Sequence, residues 1–282
     1  MMSWAVEPVV VVPVIVSAAL YVRGWSALSR RMPERFGVGR LVVFMAGLAS
    51  IMIAASALLD ALGHRFLQAH MVQHVLLMTV APPLVWMGAP VAPMLMGLPT
   101  PIRRAVARAL ASGAIRRLTD VLADPRVSWA LFVAAFWTWH VPALYDLALR
   151  NDAWHHVEHA CFFASGVLFW RPVILPWPAR PLWPRWAMIP YLVLAEIQNG
   201  VLAAILTFSD RVIYGAYEAV PRTGGLSALD DQAMAGVIMW VPGSMVFLVS
   251  LLWLVVSALA GPRSVGMTEA TTLQAPRAAR PR

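Results

Sequence analysis

The sequence contains no lysine, a single cysteine (Cys161), and charged residues at only 13% of its 282 positions. One cysteine excludes an internal disulfide framework and any zinc or iron–sulfur site built from several thiolates. Standing alone, Cys161 reads as a small buried apolar side chain, the common setting of a free cysteine. So little charge beside 60% hydrophobic residues excludes an ordinary soluble domain. A mean hydropathy of +0.69 points instead to a polytopic membrane protein. With lysine absent, the net charge of +8 rests wholly on 22 arginines. That balance invites a nucleic-acid reading, and the placement of the arginines decides against it.

What the sequence has in plenty is long apolar runs. They cover about residues 8–28, 41–62, 68–87, 127–149, 154–175, 185–208 and 231–259. Each reaches roughly the ~20 residues that span a hydrocarbon core as helix. The first lacks a basic n-region and exceeds the ~7–15-residue core of a signal peptide, so it is expected to be retained. The expected fold is all-α, a seven-transmembrane-helix bundle over residues 1–262. An interfacial amphipathic segment occupies about 99–124, and a disordered basic tail is expected at 263–282. Pro82-Pro83 should kink the third run near its far end, and Pro242-Gly243 the seventh. No internal repeat of the transporter kind occurs.

Only Arg65, Arg150, Arg211 and Arg222 fall to one side of seven such spans; the other arginines lie on the loops after the first, third and fifth spans and in the tail. The positive-inside rule then places the N-terminus outside and the C-terminus in the cytoplasm, in a bacterial inner membrane. In the 99–124 segment, Arg103, Arg104, Arg108, Arg116 and Arg117 alternate with Val106, Leu110, Ile115, Leu118 and Leu122. That pattern suits a helix or helix pair lying on the anionic leaflet, each Arg adding ~1 kcal/mol of attraction. The basic charge is therefore accounted for by topology and lipid, without nucleic acid.

All seven histidines fall toward the outer ends of the spans. His70 and His74 open the third span, and His155 and His159 open the fifth; both pairs are spaced i, i+4 and so share a helix face, as two ligands of one metal do. His140 is expected about two and a half turns below the outer end of the fourth. The candidate metal ligands are His70, His74, His140, His155 and His159. Gln73, Glu158, Asp231 and Met239 are candidates to orient imidazoles or add a donor, and Met239 in particular would favour Cu(I). Five imidazoles exceed the needs of one copper site, so two ions bind or some histidines stand back. His64 and His156 read as solvated interfacial residues. Glu196, Gln198 and Asn199 lie inside the sixth run, as a polar contact between helices or as part of an ion path.

Several spaced motifs carry a resemblance. They are His70-Met71-Val72-Gln73-His74 with Ala81-Pro82-Pro83-Leu84; Trp139-His140-Val141-Pro142 with Leu144-Tyr145-Asp146; and His155, Glu158 and His159 followed by Phe169-Trp170-Arg171-Pro172. Leu226 to Leu229 with Asp231-Gln232 and Ala235-Gly236, then Met239-Trp240-Val241-Pro242-Gly243, complete them. In these the chain resembles, over about Leu58 to Gly261, the bacterial CtaG family of cytochrome c oxidase assembly proteins. Where that pattern has paired tyrosines before the outer loop, this chain has Tyr214 and Tyr217 separated by Gly215-Ala216.

The resemblance implies a non-enzymatic factor for maturing haem–copper oxidase, with oxidase subunits and the lipid bilayer as partners. Joined to the histidine set, it makes copper the expected metal. Three alternatives stay open from the residues. A b-type haem between facing histidines would make an electron-transfer protein. His155-x-x-Glu158-His159 also satisfies an inverted zinc-peptidase pattern. The polar residues of the sixth run allow a transporter.

Overall fold

The predominance of apolar residues between the charged loops leaves the chain little to form but helix, since backbone groups in lipid must be satisfied within the segment. The computed structural model describes residues 8–220 and 225–259, and among them there is no strand. The first apolar run is α1 (Pro8–Arg31). The second is divided into α2 (Val38–Ala54) and α3 (Ala57–Gly63), bent by 48°. At the break, Ser56 Oγ accepts the Leu59 amide and so starts α3 as an N-cap.

The third run is α4 (Leu67–Val75), a π-helical turn over Leu76–Val80, and α5 (Ala81–Met87). The expected kink at Pro82-Pro83 is placed differently: Leu67–Met87 passes as one run, and the 70° bend follows it, before α6 (Val91–Gly97). The wide turn just ahead of the prolines supplies the physical reason. It absorbs the missing donors, and the Met78 carbonyl that Pro82 would have engaged is taken by Trp170 Nε1 at 3.1 Å. A Cβ at Gly166 would lie 2.7 Å from that same carbonyl, so only glycine permits this close approach.

Two short helices follow, α7 (Thr100–Leu110) and α8 (Gly113–Ala123), and neither buries a residue. They occupy the segment read as amphipathic, as a helix pair. Asp124 then caps α9 (Pro125–Trp139), accepting the Arg126 amide at 2.8 Å. The Arg126 side chain also donates to Asp124 and holds its carboxyl below the usual carboxylate range.

The fourth run is not the continuous span expected. It breaks at His140-Val141 and turns by 75° into α10 (Pro142–Arg150). Pro142 lacks an N–H and forces its predecessor out of the helical region; Val141 is extended, with ψ 124°. His140 thus caps the end of α9, where a continuous span would have held it inside a helix.

α11 (Asp152–Ile174) begins at the Asn151 cap and returns beside α9. Their pairing is antiparallel, as the tight Arg150-Asn151-Asp152 connection demands: Phe132 stacks on Phe169 at 4.1 Å, and Trp139 meets Trp154 at 6.4 Å. α12 (Met188–Phe208) and α13 (Ala228–Leu259) pack along each other, with Pro242 inside one continuous helix.

Among the described residues three segments are long and apolar enough to cross a membrane alone, residues 9–31, 185–208 and 228–259; counting each bent pair as one gives up to six. α11 is as long as the first of these and is not among them. Its 23 residues include Asp152, three histidines, Glu158 and Arg171. The expected tail at 263–282 lies outside the described residues.

The bundle has two chemically distinct ends. At one, the Arg35 guanidinium sits over the Trp177 ring at 5.5 Å and that of Arg126 over Trp183 at 6.0 Å. There too Arg185 donates to the last carbonyls of α11, Pro172 at 2.9 Å and Val173 at 2.8 Å. The histidines gather at the other end.

Candidate metal centre

α4 and α11 each present an i, i+4 pair of imidazoles, and the packing of these helices decides which nitrogens meet. His70, His74, Glu158 and His159 each offer one ligand atom, and the four atoms lie within 4.8 Å of one another. Glu158 has no exposed surface. Its Oε2 is 3.5 Å from His70 Nε2 and its Oε1 3.5 Å from His74 Nε2. The rings confirm a single cluster: His70 and His74 are 4.4 Å apart between centroids, and His159 lies 5.9 and 5.7 Å from them.

The decisive property is what these atoms do not touch. His70 Nε2, both nitrogens of His74, His159 Nε2 and both oxygens of Glu158 are buried without a hydrogen bond. An unsatisfied buried polar atom costs about 1–3 kcal/mol, more when charged, so such a concentration requires a partner of another kind. Donors on a tetrahedral ion with bonds of ~2.0–2.1 Å stand about 3.3 Å apart. The 3.5 Å separations, one from each Glu158 oxygen, come close to that edge, and the four ligand atoms within 4.8 Å of one another need only a small inward movement to reach it. The donor set therefore fits a metal ion.

The other two expected ligands flank this group. His140 has its ring 5.8 Å from His74; its Nδ1 faces the Phe136 carbonyl at 2.7 Å, leaving Nε2 buried and unpartnered. The His155 ring is 4.1 Å from that of His159 and 5.1 Å from that of His70. Its Nδ1 turns away, to Asp60 Oδ1 at 3.5 Å. His64 and His156 stand outside the group, His64 more than a third exposed.

The residues expected to assist are distributed differently. Glu158 stands in the ring of donors itself. Gln73 donates to the Ala54 carbonyl at 2.8 Å and so ties α4 to the end of α2. The two oxygens of Asp231 accept the amides of Leu67 at 2.8 Å and Gln68 at 3.1 Å. Phe66 offers no cap of its own, so α13 caps α4 from outside, one turn before His70. Met239 is buried in the core, where its carbonyl accepts from Asn199 at 3.3 Å. Glu196 accepts from Ser244 Oγ, which joins α12 to α13 well away from the histidines.

A roof of tyrosines closes the centre. Tyr145 lies 5.1 Å from His70 and 4.1 Å from Tyr214, ring to ring, and its hydroxyl meets that of Tyr217 at 3.2 Å. Tyr214 donates to the His140 carbonyl at 3.2 Å, and Tyr217 to that of Gly63 at 2.6 Å. These contacts hold the loop before α13 onto the breaks that flank the site. Sequence reasoning left Tyr214 and Tyr217 without a role and did not single out Asp60. The available signal was scarcity: the chain has only five tyrosines, and three meet here. On the far side Phe162 packs against His74 at 4.4 Å.

Comparison with known proteins supplies the wider setting. The chain is similar to uncharacterized proteins of Mycobacterium bovis and Mycobacterium tuberculosis, 27% identical in each case over 248 residues. An uncharacterized protein of Mycobacterium leprae is 24% identical over 253 residues. Each alignment covers 84% of this chain but 36% of the relative, so the chain spans about a third of the length of these proteins. No solved structure matches it. Residues 19–260, which hold every histidine, all three bent helix pairs and the tyrosine roof, match one family throughout. The chain belongs to the family of cytochrome c oxidase caa3 assembly factors.

Proposed function

We propose that this protein binds copper at His70, His74, Glu158 and His159 and delivers it to haem–copper cytochrome c oxidase during assembly. One observation carries the reading: a concentration of buried, unpartnered imidazole and carboxylate atoms at metal-ligand spacing, in a chain whose family assembles a copper enzyme. Imidazole and carboxylate donors favour Cu(II) over the Cu(I) that a thioether would have drawn. Copper is here the cargo, and the protein's own part is to hold it dry and orient its ligands.

The membrane placement belongs to the same proposal. The six candidate crossings become seven with α11, whose apolarity is reduced by the site it carries. The N-terminus is outside, the arginine-rich end lies in the cytoplasm, and the histidine end meets the outer leaflet of the bacterial cytoplasmic membrane. At that depth the site can face an oxidase subunit sideways.

The geometry supports neither alternative chemistry. In an inverted zinc peptidase both histidines of the motif bind the metal and the glutamate serves as base; here His155 turns to Asp60 and Glu158 sits between His70 and His74. A haem needs a clear plane between two axial imidazoles, and here Glu158 and His159 crowd the space beside His70 and His74.

The test is metal analysis with an optical spectrum on detergent-purified protein exposed to copper, run beside His70→Ala/His74→Ala. Copper held by the wild type and lost from the buried site in the double variant is the expected result. A Soret band, or wild-type protein that takes up no copper, would overturn the proposal.

A further inference from the structure

His155 is one of the two expected ligands that the buried cluster leaves out, and its surroundings form a second constellation. Asp60 stands on α3 one turn before His64, so their side chains share a face. Asp60 Oδ1 lies 3.5 Å from His155 Nδ1 and Oδ2 lies 3.9 Å from His64 Nδ1. The His64 and His155 rings are 5.7 Å apart, the same spacing as His74 and His159 within the buried cluster. His64 Nδ1 faces the Asp60 carbonyl at 3.0 Å, leaving Nε2 as the nitrogen it can offer to a metal.

Exposure falls in steps along this line. The side chains of Asp60 and His64 are 43% and 38% exposed, His155 is 7% exposed, and His70 is 1% exposed. His155 belongs to both ends. Its Nδ1 faces Asp60, while its Nε2 is buried without a partner and its ring lies within 4.1 Å of His159. A cavity of about 780 Å³ between α1, α2 and α11 has Asp60, His155 and His159 in its wall, so the two constellations share one approach.

We propose that Asp60, His64 and His155 form an outer metal-binding station that takes up copper and passes it to the buried cluster through His155. The transfer is ligand exchange without redox change: bonds to Asp60 and His64 break as bonds to His159 and His70 form, and His155 stays a ligand by turning its ring about χ2, which swings the bound Nδ1 from Asp60 toward the buried cluster. Stepwise replacement of donors keeps the ion coordinated throughout, where a direct jump from water would need its full shell removed at once. The inference rests on the copper reading of the buried cluster.

The experiment uses full-length protein in detergent with copper ions alone as the probe. Wild type, Asp60→Asn/His64→Gln and His70→Ala/His74→Ala are compared for copper stoichiometry, for equilibrium affinity, and for the rate at which the buried-site spectrum appears after mixing. Asp60 and His64 are surface side chains, and thermal unfolding of the copper-free variant checks that the fold is intact. The outer variant should drop from two ions to one, keep the buried site's affinity within about twofold, and load it at least about tenfold more slowly. The inner variant should keep one ion. An outer variant with unchanged stoichiometry, or one that loads at the wild-type rate, overturns the outer station and leaves the buried site standing. A wild type that binds no copper overturns both.

Discussion

A carboxylate with no exposed surface and no hydrogen bond, set 3.5 Å from two imidazole nitrogens, is costly to keep without a cation. The effective penalty for burying one uncompensated ion is several kcal/mol. On the copper proposal, Glu158 destabilises the copper-free protein and contributes a donor to the loaded one. Gln keeps the shape and removes the charge, so Glu158→Gln should move these two properties in opposite directions. The copper-free variant should melt at the wild-type temperature or a few degrees above it, and its copper affinity should fall at least about tenfold, the lower range seen when even an outer partner of a ligand is lost. Thermal melts with and without copper read both. Wild-type copper affinity in Glu158→Gln would remove Glu158 from the donor set.

At the scale of the element, the site depends on where helices begin and stop. Asp231 illustrates it: a residue of α13 supplies the cap that α4 lacks. Asn keeps one of the two accepting oxygens and Ala keeps neither, and loss of a cap costs about 1–2 kcal/mol. Asp231→Ala should lower the thermal midpoint and weaken copper binding by loosening the turn before His70, and Asp231→Asn should restore part of both. Were Asp231 a metal ligand instead, Asn would fail as Ala does. The comparison thus separates capping from coordination.

The same contrast explains what sequence could and could not disclose. The i, i+4 pairs were legible because helical period is local, and that period also groups Glu158 with His155 and His159 and turns His156 away. The seven apolar runs emerged near their true limits for the same reason. Asp231 is 164 positions from the amide it caps, and no local pattern records such a partner. The division of His155 from His159, though one turn apart, depends on Asp60 approaching from α3. The break at His140 was available in Pro142 and its effect on Val141, but the long apolar run around it masked the signal. The large bend of the third run follows Met87 rather than Pro82-Pro83, and Trp170, on another helix, satisfies the carbonyl those prolines release.

At the scale of the whole molecule, the two ends of the bundle differ in kind. One gathers arginines over Trp177 and Trp183 and extends them along α7 and α8, which bury nothing. The other gathers every histidine, four of them buried to nine-tenths or more. In the proposed orientation the cytoplasmic leaflet attracts the first through its anionic lipids, and the histidine end faces out, where it would meet an incoming metal ion. The single cysteine makes this orientation simple to read. In a Cys161→Ser background, Asp210→Cys at the histidine end and Ser112→Cys between α7 and α8 both lie at exposed positions. A membrane-impermeant maleimide should label Asp210→Cys in intact spheroplasts and should reach Ser112→Cys only after the membrane is opened. The reverse pattern would turn the histidines to the cytoplasm, and the site would then have to draw its copper from inside the cell.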